Sequence, residues 1–401
     1  MASVILEFRK SKTNGKGETP IYIRIIKNRK AKFVSTGIKL LEKYWDEKKF
    51  KVKKSHPNSA RYNSFLAQKV AEAEAIVVSL ETSTKYATAN KMKDAILGRK
   101  PESIFKYLDR YVADLRRNNQ ISTANRFNAT GVKLKEYVKG IDLSFEDITV
   151  ALLKGFSRHL SEKYKNKTNT IHTNLKSIRK LYNDAIRDEV IDAQSNPFSK
   201  FKLTWDKTDK IYLTQEELDK IDNLVLPAGS MISIYKDMFV FACYAGGLRI
   251  SDVLQLRRSN FDGSHINVIM QKTNDPVSVM LPTKAKSIIE KYSTGEKLAT
   301  DFIFPIFDTR VKYSDPVILH QEISRKTALA NKNLVSIATK AEIGKEISFH
   351  SSRHTWATLA LKKGMRMEHV SKLMGHTELK TTQVYAKIVN SDLDKAMAIF
   401  E

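Results

Sequence analysis

Apolar residues alternate along only the first stretch of this chain; beyond residue 60 they recur at helical spacing, with one short exception. A two-residue repeat suits one face of a strand, whereas a repeat near 3.6 suits one face of a helix. The chain is therefore constrained to a small β-sheet followed by helices. Val4 to Arg9 alternates, Ser11–Thr19 is a Gly/Asn/Lys turn, and Ile21 to Ile26 is β-branched and aromatic. Lys32 to Ile38 follows a basic turn at Lys27–Lys30. Short runs bounded by turn residues predict a three-stranded meander. Its solvent face is expected to carry Arg9, Arg24, Lys27, Arg29, Lys30 and Lys32.

Helical spacing takes over at Ala60, with Val70, Ala73, Ile76, Val77 and Leu80 on one face, and lasts to about Gly98. Gly98-Arg-Lys-Pro101 then breaks the pattern, since proline cannot continue a helix and restricts the residue before it. Four helices are predicted next. Ile104 to Leu115 is the first, and Thr123 to Val138 the second, with Phe127, Val132, Leu134 and Tyr137. Ser144-Phe-Glu-Asp147 has the form of a capping box ahead of the third, Val150 to Tyr164. Thr168 to Asp188 is the fourth, and it exposes Lys176, Arg179, Lys180 and Arg187. Asn196-Pro197 and the Lys-rich run to Lys210 predict a hinge. A second capping box, Thr214 to Glu217, opens a mainly helical unit of about 190 residues, the usual size of one domain. That unit holds the one exception, a hairpin of His265–Lys272 and Val277–Leu281 around a Thr-Asn-Asp-Pro turn.

Charge narrows the partners. Lys and Arg total 69 against 44 acidic residues, a net +25. Residues 1–60 hold 16 basic and 5 acidic side chains, so the excess peaks there. Such a balance implies a polyanion, either nucleic acid or an anionic membrane. The apolar run Met238 to Leu248 is far short of the roughly 20 residues a span needs, and the N-terminus lacks the apolar core of a signal peptide. Cys243 is the single cysteine, so neither an intramolecular disulfide nor a Cys-cluster zinc site can form. A cytoplasmic nucleic-acid protein is expected, with no membrane role. Basic helix faces such as Lys176, Arg179 and Lys180 also suit plain solvation, so charge alone does not assign contacts.

Three segments of the last unit carry phosphate-directed side chains. Ala245-Gly-Gly-Leu-Arg249-Ile-Ser-Asp252 joins two helices through a Gly pair that lets the backbone turn tightly. Phe349-His350-Ser-Ser-Arg353-His354-Thr-Trp356 places His350 and Arg353 one helical turn apart. Leu373-Met-Gly375-His376 ends a helix, and Tyr385 follows nine residues after that histidine.

These residues, in this order over the 137 positions from Arg249 to Tyr385, resemble the tyrosine recombinase family, the integrases of phages and conjugative elements. The resemblance implies a multidomain, mainly α protein. An N-terminal three-stranded β arm-binding domain with a trailing helix would span 1–98, and a four-helix core-binding, SAM-like domain 99–195. A linker at 196–210 would lead to a mixed, mainly α catalytic domain with a small β-hairpin sheet at 211–401. It further implies site-specific cleavage and rejoining of DNA for a mobile element, through a 3′-phosphotyrosyl intermediate, without metal, cofactor or ATP. Physical chemistry agrees. Arg249 and Arg353 can each grip two phosphate oxygens through the guanidinium fork, and Tyr385 would be the nucleophile. The resemblance assigns Lys272 to the leaving oxygen, with Lys284 and Lys286 as neighbouring alternatives. It gives His350 proton transfer, His376 a hydrogen bond to the phosphate, and Asp252 a supporting place. Core-type and arm-type duplex sites and assembly as a tetramer follow from it, with a host DNA-bending protein and an excision factor as further partners. No Gly-rich P-loop is present.

His350 and His354 have the spacing of a helical zinc pair, but no Glu lies between them and Arg353 would repel a cation. His354 and His369 are expected to be structural or surface residues, Tyr244 core, and Trp356 packing behind Arg353. A chromosome-dimer-resolving recombinase of the same chemistry would not need the extra N-terminal domain. An inactive DNA-binding regulator would not need all six reactive positions filled, and a single-strand RNA binder would show aromatic RNP-like motifs. Past Tyr385, Ser391 is a plausible N-cap for a tail helix with Leu393, Ala396, Met397 and Phe400 on one face. The resemblance expects that helix to dock on a neighbouring protomer.

Overall fold

The computed structural model describes residues 2–83, 89–98, 102–191, 193, 196–293, 298–308 and 310–386. The expected tail helix lies outside the described residues. Two compact units divide the chain, Met1–Asp206 and Lys207–Glu401.

In the first unit, β1 (Ser3–Phe8), β2 (Glu18–Lys27) and β3 (Lys30–Leu41) form an antiparallel meander in that order. Asn28 and Arg29 close the β2–β3 hairpin, both in the left-handed region at φ 49° and 61°. Two such residues make the kind of turn whose twist matches that of the strands. Ile21, Ile23 and Ile25 of β2 are fully buried with Val34 of β3. The small hairpin of β4 (Trp45–Asp46) and β5 (Lys51–Val52) was not foreseen, and Trp45 stacks on Phe8 at 5.5 Å. In place of one helical stretch there are two helices, α1 (Ser59–Ser83) and α2 (Ala89–Ile96), whose Ala73, Val77 and Met92 cover Ile23 and Ile25.

Strand register corrects the expected solvent face. Ile25 pairs with Lys32 and Lys27 with Lys30, so these three lysines share the face of the buried isoleucines. Lys27 forms an ion pair with Glu81 of α1. Residues that alternate cannot all point one way, and Arg24 lies on the other side of the sheet from Lys27. The open face instead interleaves arginine and aromatic rings. Arg9 sits 4.2 Å from the Phe33 ring centroid and 5.7 Å from that of Tyr22, while Arg24 reaches Glu7 at 3.1 Å. Arg29 is exposed in the turn.

The four helices follow as α3 (Ile104–Arg117), α4 (Ile121–Tyr137), α5 (Val150–Glu162) and α6 (Thr168–Arg187) around one apolar core. Val132 is 59% exposed, contrary to expectation, because α4 buries Ala124, Phe127, Thr130, Gly131 and Leu134 instead. The Ser144–Asp147 box caps a tight turn, and the Thr149 hydroxyl caps α5 by accepting from the Leu152 N–H at 3.2 Å. On α6, Lys176 is exposed and Arg179 half-buried, while Lys180 reaches Asp184 at 2.7 Å and Arg187 pairs with the same carboxylate. The supposed hinge is packed as far as Asp206. Phe198, Phe201 and Leu203 lie against the helical core, and Asn169 donates to the Asp206 carbonyl at 2.9 Å.

The second unit is built on α8 (Met231–Tyr244), which follows α7 (Gln215–Asn223) and is buried from Ser233 to Cys243. Thr214 caps α7 in the expected box. After α8 come α9 (Ile250–Gln255), then the hairpin β6 (His265–Ile269) and β7 (Pro276–Met280). Next are α10 (Thr283–Lys291) and α11 (Pro316–Lys340), followed by α12 (Phe349–Lys362), α13 (Met367–Leu373) and the short α14 (Gln383–Ala386). Both α11 and α12 pack on α8, so a rigid apolar rod backs the region where the motifs meet. Among the described residues no helix is long and apolar enough to cross a membrane.

Candidate active site

Two glycines end α8 in left-handed conformation, Gly246 at φ 68° and Gly247 at φ 65°. Glycine adopts this at no steric cost. Close approach is the second reason for them: a Cβ on Gly247 would lie 3.2 Å from the Cα of Arg353. The turn delivers Arg249 to the N-terminal end of α9, where its Nη1 donates to the Met270 sulfur at 3.1 Å.

Helix α12 begins in a Ser348–Ser351 box and carries His350, Arg353 and His354 in its first turns. Arg353 is only 2% exposed. Its Nη1 donates to the Gly247 carbonyl at 2.9 Å and its Nη2 to the Met374 carbonyl. The guanidinium is thus fixed from both the first and third motifs. Gly375, at φ 60°, ends the α13 segment, and a Cβ there would meet the Met270 sulfur at 2.6 Å. Met270 therefore fills the space between Arg249 and Gly375. His376 follows, its Nδ1 2.8 Å from the hydroxyl of fully buried Thr382, which sets the ring orientation. Tyr385 on α14 is 5% exposed and packs with Ala357, Ala360, Val370, Met374 and half-buried Trp356. Its hydroxyl meets Nδ1 of His354 at 2.9 Å.

Electrostatics follow from crowding cations in a partly dry site. Burial and Arg249 lower the Arg353 guanidinium to about 10, still charged at neutral pH. Burial, Arg353 and Arg249 hold His376 down at about 4. His350 stays open to solvent on one side, yet the surrounding protein and the same two arginines hold it at about 4. Burial, His350 and Lys210 push His354 down to about 3. Burial raises the Tyr385 phenol, opposed by the fields of Arg353 and Arg249. Neutral imidazoles and two guanidiniums around a phenol leave the site with an excess of positive charge. A phosphate diester entering it would meet charge-assisted donors already oriented.

Lys272 is exposed in the hairpin turn rather than at the end of the first strand, which stops at Ile269. Its charge helps depress both His350 and His376. Asp252 positions the turn: its buried Oδ1 accepts from the Gln271 N–H at 3.0 Å. Burial raises the Asp252 carboxyl, and that backbone bond and Arg249 oppose the shift. Lys284 pairs instead with Asp222. His369 is exposed, and Tyr244 packs against the core. His354, expected to be a structural or surface residue, is buried and bonds to the tyrosine hydroxyl itself. Its position after Arg353 was the only signal, and that sets a helix face without naming a partner.

Gly247→Ala will test this geometry. The left-handed backbone alone costs roughly 1–2 kcal/mol, and the new methyl presses on the Arg353 backbone. Urea unfolding should show at least that loss, with a larger loss of DNA cleavage than the stability change explains.

Comparison with known families matches an Arm DNA-binding domain over residues 6–93, a phage integrase SAM-like domain over 103–203 and the phage integrase family over 212–391. Tyrosine recombinase XerC of Anoxybacillus flavithermus is 26% identical over 266 residues, covering 65% of this chain and 83% of that protein. XerD of Oceanobacillus iheyensis is 27% identical over 270 residues, covering 64% and 84%. Among solved structures, a lambda integrase dimer bound to a COC′ core site has a TM-score of 0.52 at 16% identity, over 95% of this chain and 93% of that one. A Tn1549 transposon integrase fragment with circular intermediate DNA has a TM-score of 0.52 at 17% identity, over 71% and 94%.

Proposed function

Because the chain belongs to the tyrosine recombinase family and cleaves and rejoins DNA by that chemistry, we propose that it is the integrase of a mobile element. In this reading Tyr385 attacks the scissile phosphate of duplex DNA and holds the 3′ end as a phosphotyrosine. Arg249 and Arg353 neutralise the charge that builds on the phosphate oxygens, His376 donates a hydrogen bond to one of them, and Lys272 protonates the leaving 5′ oxygen. The phosphodiester energy stays in the tyrosyl link, so rejoining requires no nucleotide cofactor. The observation that carries the reading is the Arg353 guanidinium, locked between the Gly247 and Met374 carbonyls while its field, with that of Arg249, acts on Tyr385. The protein would work in the cytoplasm as a tetramer on two duplexes. The helical unit would grip core-type sites, and the N-terminal sheet a second, arm-type sequence.

The arm-domain match at 6–93 supports the mobile-element role, since about 100 residues precede the helical unit. A chromosome-dimer-resolving role is the second reading, favoured by the Xer relatives. Substitution of Arg9 and Arg24 on the open sheet face separates the two. In the integrase reading, Arg9→Ala with Arg24→Ala keeps cleavage of core-type duplex but loses affinity for a separate arm-type duplex. The logarithmic salt slope of that binding should fall by about one for each phosphate contact removed. Equal recombination with and without arm-type sequence, unchanged in the double variant, would favour the chromosomal reading.

A further inference from the structure

We propose that His354 is a catalytic residue of the cleavage step, orienting the Tyr385 hydroxyl and accepting its proton as the tyrosine attacks phosphorus. The inference rests on the reading of Tyr385 as nucleophile and deepens it. Its basis is placement. The His354 Nδ1 lies 2.9 Å from the Tyr385 oxygen, within hydrogen-bond reach of the proton that must leave. Both groups are buried, His354 at 8% exposure and Tyr385 at 5%, so bulk water is a poor acceptor there. His350, the other histidine of the motif, faces the His354 ring edge-on at 4.5 Å between centroids.

The groups facing His354 are His350 and Arg353 on its own helix, Tyr385 on α14 and the Lys210 charge. Without DNA, burial first, with the nearby Lys210 and Arg353 charges, keeps the imidazole unprotonated. A neutral ring with its proton on Nε2 presents a lone pair at Nδ1, which accepts from the phenol O–H. The diester brings a negative charge into the site and the attack adds a second, so the basicity of His354 rises when it is needed. The step balances. The phenol proton passes to Nδ1, the tyrosine O–P bond forms and the P–O5′ bond breaks. The 5′ oxygen takes its proton from a separate acid, and rejoining runs the same transfers in reverse.

The test measures single-turnover adduct formation on a nicked suicide duplex, with wild-type protein and Tyr385→Phe as references. Wild-type adduct and none from the Phe variant establish the nucleophile; adduct from the Phe variant sinks that reading separately from the role of His354. His354→Ala removes the acceptor. His354→Asn places an amide near the Nδ1 position, so it can still orient the hydroxyl but cannot take its proton. Both variants should bind duplex as wild type does and form adduct roughly 10²–10⁴-fold more slowly. The deficit should narrow as pH rises, because an ionised phenol needs no acceptor. A sulfur in place of the bridging 5′ oxygen, which leaves without protonation, should not restore their rates. Wild-type rates in His354→Asn would reduce the contact to positioning, and unchanged or faster cleavage in both variants would remove His354 from the chemistry. Either result overturns the proposal, and folding is checked by thermal melting of the Asn variant, the closer match in shape.

Discussion

Tyr385→Phe will bind core-type duplex as tightly as the unaltered protein and leave no protein–DNA adduct on a denaturing gel. The substitution removes one oxygen and keeps the ring that packs among Ala357, Ala360, Val370 and Met374. Stability should therefore change little, the lost bond to His354 being worth about 1 kcal/mol. Catalysis has no substitute, because the phenol oxygen is the attacking atom. Tyr244, at the end of α8 before the glycine pair, offers no alternative: it is half-buried and its hydroxyl accepts from Gln215 at 3.2 Å. An adduct of normal yield from the Phe variant would sink the assignment of the nucleophile.

Arg353→Lys will lose at least two to three orders of magnitude in cleavage although its charge is retained. One preorganised donor to a developing oxyanion is typically worth about 3–4 kcal/mol. Arg353 does more than supply charge. Its Nη1 and Nη2 anchor on the Gly247 and Met374 carbonyls, and the same planar group keeps further N–H bonds to offer a phosphate. An ammonium cannot span both carbonyls and also face the substrate as a fork. Arg353→Ala will fall further and will also unfold more easily, since two buried carbonyls lose their donor. Single-turnover cleavage on the nicked duplex measures the first effect and urea unfolding the second. A lysine variant within tenfold of wild type would show that charge alone suffices at this position.

Much of the architecture was legible because its signals are local. The period change near residue 60, the Thr214–Glu217 box and the glycine pair before Arg249 each act within a few residues, and each lies where local chemistry put it. The same holds for the internal geometry of each motif. His350 and Arg353 share the start of one helix, and Gly375 ends the segment before His376, as their spacing required.

Other features depended on register and distance. Lys27, Lys30 and Lys32 were expected on one face with Arg24, yet the β2–β3 register places them on the helix side of the sheet, where Lys30 is still exposed, and only the strand register decides that. The run from Asn196 to Lys210 read as a hinge because its composition is polar and basic. Phe198, Phe201 and Leu203 nevertheless lie against the helical core. Met270 carried no motif and Asp252 only a supporting place implied by the resemblance, and their work is to join segments far apart in the chain: sulfur between Arg249 and Gly375, carboxylate to the Gln271 N–H.

By itself, then, the sequence determined which elements form and which side chains have the chemistry to handle a phosphate, because propensity, capping and helical spacing act over a few residues. Only the tertiary structure decided which of those side chains touch. The buried rod of α8 brings the Gly247 carbonyl, Arg353 of α12 and the Met374 carbonyl to one guanidinium. Packing of α14 on α12 sets the Tyr385 hydroxyl on His354. Such contacts join residues between 21 and 106 positions apart, and no local pattern encodes them. They arise because a close-packed interior leaves each buried polar group few partners to satisfy it.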